Sequence, residues 1–305
     1  MGQKQQTTFK ITDLSGAMVA LVTPMVASGD INWDQYHSLL DWHIRLKTPA
    51  VIIAGTTGES ALLSAEETQK LWSIASQRCA NTDTLVVAGT GAISPQQVMA
   101  NNKLAAECGA QVALVVTPYY LRLTQQALHD HFWAIADDSP LPVLLYNVPS
   151  RTGNDLQTKT TQALARHPNI IGIKEAKADM ERIKQLAKID SFAVLSGDDG
   201  SFYQAMQQGA DGVISVAANV RPQALQNICH AITLGDANKA NESDQSLQNL
   251  YHLLGQEPNP GPIKAVMTAA KMISSGIRSP LQLMTLNQSQ HKQYIDAIKQ
   301  EFTQA

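Results

Sequence analysis

A lysine at the end of an apolar run is the residue of this sequence best suited to covalent chemistry. Lys174 follows Ile-Ile-Gly-Ile and precedes Glu175. An ammonium group in such surroundings loses hydration, which favours the free amine, and free amines form Schiff bases with carbonyl substrates. The pattern also permits a plainer interpretation, in which Lys174 extends its charged end to solvent or pairs with Glu175.

Side chains that could assist such an amine close the neighbouring runs. Tyr146 ends the run before Lys174, and a phenol beside an amine can move protons while an imine forms and breaks. Thr56 and Thr57 lie in a glycine-flanked turn that could hold a carboxylate. Arg151 could bind a second carboxylate through bidentate hydrogen bonds. Each of these residues, taken alone, is also typical of ordinary strand ends, turns and surfaces.

Eight short β-rich runs carry these residues. Their cores are nearly continuous in valine, isoleucine, leucine and alanine, as expected of strands that are buried on both faces. Helical patterns separate them, with a capping box at Ser64–Glu67 and an N-cap before a proline at Ser94-Pro95. The runs end at Thr23, Gly55, Gly89, Thr117, Tyr146, Lys174, Gly197 and Ser215.

This alternation predicts an α/β fold, a (β/α)8 TIM barrel with a C-terminal three-helix appendage. A doubly wound open sheet is the rival, but it usually begins with a glycine-rich nucleotide loop, and none follows the first run. We predict a catalytic barrel over 1–234 and a helical domain over 235–305, with helices near 236–254, 262–275 and 285–302. Because barrel active sites lie at the carboxyl ends of the strands, the run ends are the candidate site residues.

Composition argues against several classes of function. The chain has 305 residues and a net charge of −3, so no basic surface points to nucleic acid or to a membrane. No apolar run approaches the ~18 residues of a membrane helix, and the opening MGQKQQTTFK lacks the apolar stretch of a signal peptide. The 3 cysteines stand in no paired spacing, which indicates free thiols and a cytoplasmic location.

A catalytic metal ion is not indicated either. None of the 8 histidines ends a β-rich run, where a transition-metal site would usually need one. Asp198-Asp199 could bind Mg²⁺, although a turn after a strand is the simpler interpretation. We therefore expect no metal site.

Six motifs occur along the chain in the order that one enzyme family shares. Together they resemble the dihydrodipicolinate synthase family of the N-acetylneuraminate lyase superfamily, over nearly the whole chain from about Gly16 to the EPNP segment. The motifs are GTTGES (Gly55–Ser60), TPYY (Thr117–Tyr120), YNVPSRTG (Tyr146–Gly153), GIKEA (Gly172–Ala176), SGDD (Ser196–Asp199) and GVISV (Gly212–Val216).

The resemblance implies four catalytic residues. Lys174 matches the lysine that forms an imine with pyruvate, and Tyr146 matches the general acid and base. Thr56 and Tyr120 match the other members of a Tyr-Thr-Tyr proton relay. In the family, the tyrosine at Tyr120 crosses a tight dimer into the partner's site.

The resemblance also implies the substrates and the assembly. Thr57 and Ile214 match the pyruvate-binding positions, with Gly197 beside them, and Arg151 matches the arginine that holds the carboxylate of L-aspartate 4-semialdehyde. The implied reaction condenses these two substrates in lysine and diaminopimelate biosynthesis. It needs no cofactor, because the lysine itself is the electron sink. The implied assembly is a homotetramer, a dimer of tight dimers.

Two other interpretations stay open. A sister aldolase, such as N-acetylneuraminate lyase or 2-keto-3-deoxygluconate aldolase, would use the same lysine and pyruvate with a sugar-like partner. Arg151 suits a small carboxylate-bearing partner better than a polyol. The second interpretation is an inactive barrel that serves as a binding or regulatory protein, and the intact set of Lys174, Tyr146, Thr56 and Tyr120 argues against it.

The chain departs from the family pattern in two places. Leu121 and Leu123 stand beside Tyr120 where close relatives have asparagine and proline. In the lysine-inhibited bacterial enzymes, the effector site has histidines, an asparagine and a glutamate at four positions that differ here. This chain keeps Ser60, Ala61 and Tyr119 of that site but carries Ala65, Thr68, Ile93 and Gln97 at the four others. An amino acid ligand loses polar partners by these changes, so we expect weak or absent inhibition by lysine.

Overall fold

Eight parallel strands close into a barrel in the computed structural model, which describes residues 13–304 apart from the side chains of Gln288 and Gln290. Each strand pairs with the next along the chain, and the eighth pairs with the first. The prediction of a TIM barrel is therefore confirmed. The opening MGQKQQTTFK lies outside the described residues. The strands are β1 (Gly16–Ala20), β2 (Ala50–Ile53), β3 (Leu85–Gly89), β4 (Val112–Val116), β5 (Val143–Asn147), β6 (Ile170–Glu175), β7 (Ala193–Ser196) and β8 (Gly212–Ser215).

Helices follow the strands and cover the outside of the barrel. The Ser64 capping box and the Ser94 N-cap that the sequence predicts are both formed. The helices are α1 (Trp33–Arg45), α2 (Ala65–Cys79), α3 (Pro95–Glu107), α4 (Gln125–Asp138), α5 (Pro149–Thr152), α6 (Thr158–Leu164), α7 (Met180–Leu186), α8 (Phe202–Gln207), α9 (Pro222–Thr233), α10 (Ala237–Leu254), α11 (Gly261–Ala269) and α12 (Gln288–Gln304).

The last three helices correspond to the predicted appendage, with one correction. The helix predicted over 262–275 ends at Ala269. Lys271 adopts a left-handed backbone with φ of 59°, which an α-helix cannot continue through, and the next amide turns back to bond Met267. The first helix of the appendage, α10, packs against α9 of the barrel. The division near residue 234 stays a prediction.

Two cores hold the barrel together. The interior core fills the space inside the strands and includes Met18 and Leu195, whereas the outer core lies between strands and helices and includes Trp72 and Phe132. Because successive residues of a strand point to opposite faces, each strand contributes to both cores. In β5, Tyr146 belongs to the interior core while its neighbours pack outward.

A register shift between β5 and β6 turns Lys174 inward. Val143 pairs with Ile170 but Leu144 pairs with Gly172, so Ile171 is an extra residue in β6. Ile171 itself belongs to the interior core. If side chains alternated strictly from Ile171, Lys174 would face outward, because it is three positions further along the strand. The bulge breaks the alternation after Ile171, so Lys174 faces inward.

The described part of the chain holds free thiols and no candidate membrane helix. Between residues 13 and 304, no helix is long and apolar enough to cross a bilayer. Cys79, Cys108 and Cys229 are free, and burial raises the pKa of Cys79 and of Cys229 to about 12. At neutral pH these two buried thiols are protonated and unreactive.

Candidate active site

Lys174 and Tyr146 meet at the carboxyl ends of β6 and β5. The two residues are register partners across these strands, as their places at the ends of consecutive runs predict. Both are buried, with 6% and 7% of their surfaces exposed, and the Lys174 Nζ lies 4.4 Å from the centre of the Tyr146 ring. An amine and a phenol this close can exchange protons with the same bound molecule.

Gly197 lies beside the Lys174 side chain, and Ile214 faces the barrel interior from β8. Gly197 directly follows Ser196, the last paired residue of β7. Ile214 lies within β8 and is buried in the interior core. A Cβ on Gly197 would lie 2.9 Å from the Lys174 Cε and 2.8 Å from the Ala176 Cβ. Both contacts are too short for carbon atoms, so the lysine side chain needs a glycine at this position.

The turn after β2 carries Thr56 and Thr57. Its backbone closes through a hydrogen bond of 3.1 Å from the Glu59 N–H to the Thr56 carbonyl. Left-handed residues bound the turn on both sides, with φ of 53° at Ala54 and 61° at Glu59. Side chains with a Cβ rarely adopt this backbone, so contacts from elsewhere must stabilise the turn. Thr57 is buried and Thr56 is half-buried.

A residue of the C-terminal segment joins the two expected binding groups. Asn259 Nδ2 donates to Thr57 Oγ1 at 3.0 Å, and Arg151 Nη2 donates to the Asn259 carbonyl at 2.9 Å. One residue therefore contacts both the position expected to bind pyruvate and the position expected to bind the second substrate. Sequence reasoning missed Asn259, because it lies 202 residues from Thr57 and no local pattern signals the contact.

A buried ion pair anchors the same turn. Lys264 of α11 bonds to Glu59, and both charged side chains are fully buried. Lys264 also donates to the Thr23 carbonyl at 3.0 Å, and the Arg278 N–H donates to the other Glu59 oxygen at 3.0 Å. Burial lowers the pKa of Lys264, and the Glu59 carboxylate opposes this effect. Because an unpaired buried charge is costly, the pair ties the turn after β2 to the C-terminal helices.

The outward neighbours of the two central residues fasten β5 to β6. Asn147 Nδ2 donates to both Glu175 oxygens at 3.0 Å, and Arg182 donates to Glu175 at 3.1 Å and to Asp155 at 2.6 Å. Burial raises the pKa of Glu175, whereas hydrogen bonds from Arg182 hold the pKa of Asp155 well below its ordinary value. Glu175 has its partners on the outer face, so the interpretation in which it pairs with Lys174 is wrong.

An open cavity of about 580 Å³ adjoins the turn after β2. Thr56, Arg151 and Asn259 are among its lining residues, so a small molecule in the cavity can reach the groups that Asn259 connects. The cavity also brings together most of the positions that match the lysine effector site. These lining residues are Ser60, Ala61, Ala65, Thr68, Gln97 and Tyr119, all of them uncharged.

Tyr120 lies apart from the other expected catalytic residues. It follows β4 in an exposed loop, has φ of +72°, and leaves 91% of its surface exposed. Its neighbours Tyr119 and Leu121 are exposed by 37% and 43%. The structure thus brings together Lys174 and Tyr146, and separately displays Tyr120 on the surface.

Asp198 and Asp199, which follow β7, stabilise a turn, as the simpler interpretation of this pair predicts. Asp198 Oδ2 accepts from Ser201 Oγ at 2.5 Å, and Asp199 Oδ2 accepts the N–H groups of Val216 and Ala217 at 3.1 and 2.8 Å. Burial raises the pKa of Asp199, and hydrogen bonds from Ser215 and from these N–H groups oppose the rise. Across residues 13–304, no group of three or more histidine, cysteine, aspartate or glutamate side chains is arranged to hold a metal ion.

Comparisons with known proteins agree with this architecture. A curated 4-hydroxy-tetrahydrodipicolinate synthase of Xanthomonas campestris pv. campestris is 44% identical over 270 residues, which cover 88% of this chain and 89% of that protein. Among solved structures, the chloride-inhibited dihydrodipicolinate synthase from Acinetobacter baumannii, complexed with pyruvate, superposes with a TM-score of 0.88 at 38% identity. That match covers 95% of this chain and 99% of the other.

A second solved structure superposes equally well. A monomeric dihydrodipicolinate synthase variant superposes with a TM-score of 0.88 at 31% identity, over 96% of this chain and 98% of that one. The sequence model of the Dihydrodipicolinate synthetase family matches residues 13–301, nearly the full length of the chain. The chain therefore belongs to the dihydrodipicolinate synthetase family.

Proposed function

We propose that this protein condenses pyruvate with L-aspartate 4-semialdehyde through a Schiff base on Lys174, the 4-hydroxy-tetrahydrodipicolinate synthase reaction. The observation that carries the proposal is the buried Lys174 amine 4.4 Å from the ring centre of its register partner, Tyr146. The names of the curated relatives support it as well. The reaction would be the branch-point step towards diaminopimelate and lysine.

The first half of the reaction captures pyruvate. The free Lys174 amine attacks the C2 carbonyl carbon, the oxygen is protonated and leaves as water, and an imine remains. We assign this proton transfer to the Tyr146 hydroxyl, with Thr56 as the next member of its relay. Thr57 holds the pyruvate carboxylate, and Ile214 packs beside the bound molecule.

The second half forms the new carbon–carbon bond. Loss of a methyl proton converts the imine to an enamine, whose carbon attacks the aldehyde of the semialdehyde, and the aldehyde oxygen becomes a hydroxyl. Arg151 holds the second substrate's carboxylate by a charge-assisted contact. The substrate's own amine then displaces the Lys174 amine from the imine carbon, which closes the ring and returns the enzyme to its starting state.

The sister aldolases are not favoured. The curated relatives carry the name 4-hydroxy-tetrahydrodipicolinate synthase. The Asn259 carbonyl directs Arg151 to the cavity shared with Thr56, which suits an electrophile with a carboxylate. An assay with pyruvate as donor decides between the two classes of acceptor. We expect turnover with aspartate semialdehyde and little with sugar-derived aldehydes, and the reverse preference would refute the proposal.

Borohydride trapping tests the central step. Reduction in the presence of pyruvate should add a stable mass to the peptide that contains Lys174 in the wild type. The same adduct should be missing in Lys174→Met. The matched control is Lys177→Met, which removes an outward-facing lysine whose amine bonds to Asp155. If wild type gains no adduct, or if Lys174→Met still gains one, the lysine mechanism is wrong.

We further propose a homotetramer built from tight dimers, in which Tyr120 enters the partner's site. The 91% exposure of this tyrosine in a single chain supports the proposal. Mixing inactive Lys174→Ala with weakly active Tyr120→Phe subunits should restore roughly a quarter of the wild-type sites, because a mixed dimer holds one intact pair. No gain of activity on subunit exchange would show that Tyr120 acts within its own chain. Light scattering gives the subunit number.

Two broader proposals accompany the reaction. We place the enzyme in the cytoplasm, which the free thiols of Cys79, Cys108 and Cys229 support. We also propose that residues 1–234 perform the chemistry while residues 235–305 support it. The contacts of Asn259 and Lys264 with the turn after β2 favour that division of roles.

A further inference from the structure

Asn154 connects the loop that carries Tyr120 to the segment that carries Arg151. It follows α5 and is 4% exposed. Its Nδ2 donates to the carbonyls of Pro118 and Leu121 at 2.7 and 2.6 Å. Its Oδ1 accepts the Leu123 N–H at 2.9 Å. The side chain thus uses both kinds of polar atom, on backbone groups from either side of Tyr120.

The conformation of Tyr120 explains why its loop needs such contacts. Its φ of +72° is left-handed, which is unfavourable for a residue with a Cβ. A side chain with 91% of its surface exposed gains little from packing within its own chain. The backbone on each side must therefore hold the tyrosine, and three of the bonds that do so come from one side chain.

Further contacts join the same two segments. Thr117 and Thr152 share a hydrogen bond of 2.9 Å between their hydroxyls, and Arg122 Nη1 donates to the Gly153 carbonyl at 3.1 Å. Thr152 also bonds to the backbone of Asn154. Since Arg151 immediately precedes Thr152, the Tyr120 loop and the Arg151 segment behave as one structural unit.

We infer that Asn154 is a positioning residue that holds Tyr120 in place for its proton-transfer role. The inference rests on the proposed function, in which Tyr120 belongs to the relay. Asn154 itself bonds to backbone groups of the loop and acts through Tyr120. Only an amide fits this place, because two carbonyls need N–H donors while the Leu123 N–H needs an acceptor. The isosteric carboxylate of Asn154→Asp would set an oxygen against two carbonyl oxygens.

A double-mutant cycle tests the inference through activity. Asn154→Ala and Asn154→Asp should each lower kcat about 10-fold or more, since an ångström of displacement costs a catalytic group up to ~10²-fold. The KM for pyruvate should stay unchanged, because Lys174 lies in β6 and Thr57 lies in the turn after β2. In a Tyr120→Phe background, the change at Asn154 should cost little more. Full kcat in Asn154→Ala, or losses that multiply in the double variant, would overturn the inference.

Asn169 supplies a matched control. Its Nδ2 donates to the carbonyls of Ala136, Ser139 and Leu141 at 3.0 to 3.1 Å, just before the amino end of β6 and away from the site. Asn169→Ala removes a comparable set of bonds and should lower stability without changing kcat. A loss of kcat equal to that of Asn154→Ala would mean that any lost asparagine has this effect, and would overturn the inference.

Hydrogen exchange gives a readout that does not depend on turnover. Deuterium uptake in the peptide that spans 118–124 should be faster in Asn154→Ala than in wild type and in Asn169→Ala. Unchanged uptake in Asn154→Ala would overturn the inference even in an active enzyme. Failure of the proposed function shows separately, as a wild type that neither traps pyruvate nor condenses the two substrates.

Discussion

Lys174 shares its end of the barrel with a glycine whose missing side chain leaves room for the lysine's carbon chain. At Gly197, a Cβ would lie within 3 Å of both the Lys174 Cε and the Ala176 Cβ. The Lys174 chain can bend away from a new methyl group, but Ala176 cannot. Any added atom is therefore expected to move the amine rather than Ala176.

Gly197→Ala should impair imine formation while leaving the fold intact. The new methyl group displaces the Lys174 amine from its place beside Tyr146, so we expect kcat to fall by up to ~10²-fold and trapping of pyruvate to slow. The measurements are steady-state rates and the rate of borohydride adduct formation. Gly200→Ala is the matched control, because its Cβ would lie 3.7 Å from the nearest atom, an ordinary contact. A Gly197→Ala protein that traps pyruvate at the wild-type rate would contradict this account.

At the scale of elements, the C-terminal segment acts on the turn after β2. Asn259 reaches Thr57 with its side chain and Arg151 with its backbone, while Lys264 holds Glu59 in the left-handed end of the turn. These contacts come from two different parts of the appendage. The segment after residue 234 therefore helps to position Thr57 and Arg151, the two groups that we propose bind the substrates.

Asn259→Ala should separate the two substrates kinetically. The change removes the hydrogen bond to Thr57, and one bond of about 1 kcal/mol corresponds to about a fivefold rise in the KM for pyruvate. The bond from Arg151 goes to the backbone carbonyl and survives, so the KM for the semialdehyde should stay the same. Asn227→Ala, on the exposed side of α9, is the control. Equal rises in both KM values would indicate that Asn259 acts on the site as a whole.

The elements show which features the sequence can predict. Both-face burial produces continuous apolar runs, and helix caps are local, so the eight strands and the caps at Ser64 and Ser94 follow from pattern. The proximity of Tyr146 to Lys174 can also be predicted from the sequence, because consecutive β-rich runs become adjacent strands. The extra residue Ile171 does not, since a bulge is defined only by its pairing with another strand.

Contacts between distant segments are equally invisible in the pattern. The bonds of Asn259 join residues more than a hundred positions apart, and those of Asn154 join loops 31 to 36 residues apart. Each depends on a single amide in a segment that reads as an ordinary turn. The departure from the family pattern at Leu123 is visible in the sequence, but its physical effect is not. The Leu123 N–H, which a proline would lack, donates to Asn154 Oδ1 at 2.9 Å.

At the scale of the whole molecule, two histidines make the fold sensitive to acid. Burial lowers the pKa of His43 to about 3 and that of His131 to about 4, from an ordinary value of 6.5. The two histidines therefore become protonated near pH 6.5 in the unfolded chain but stay neutral at that pH in the folded chain. The contribution of the two neutral rings to the free energy of unfolding is fully present above pH 6.5. It is lost as the pH falls towards the pKa values of the folded protein, at about 1.4 kcal/mol per pH unit for each histidine.

His43→Gln should reduce this acid sensitivity. Glutamine does not titrate, so the free energy of unfolding should fall less steeply between about pH 6 and 4.5, by about 1.4 kcal/mol per unit. The variant should be less stable than wild type at pH 7, because it loses the packing of the fully buried ring and its bond to Thr48. Denaturant unfolding at several pH values measures both effects. His252→Gln, on an exposed face of α10, should keep the wild-type slope, and an unchanged slope in His43→Gln would contradict the assignment.

Lysine should inhibit this enzyme weakly or not at all. The cavity positions that match the effector site carry uncharged side chains, including Thr68 and Gln97, so the ligand's ammonium finds no carboxylate among them. A coupled assay with increasing lysine measures the effect. The combined variant Ile93→Asn and Gln97→Glu returns an amide and a carboxylate, and it should be inhibited more strongly than its parent. Strong inhibition of the wild type at sub-millimolar lysine would refute the expectation.

The extra residue in β6 has a consequence for how such an enzyme can change. Ile170 faces outward and Lys174 faces inward, although they are four positions apart, because the bulge at Ile171 absorbs one residue. Loss of Ile171 would make that separation three positions, an odd number, so a regular strand without a bulge would still present Lys174 to the barrel interior. Relatives with either strand length can thus carry GIKEA with the nucleophile facing the same way, since the pairing of Tyr146 with Lys174 fixes the phase of the motif.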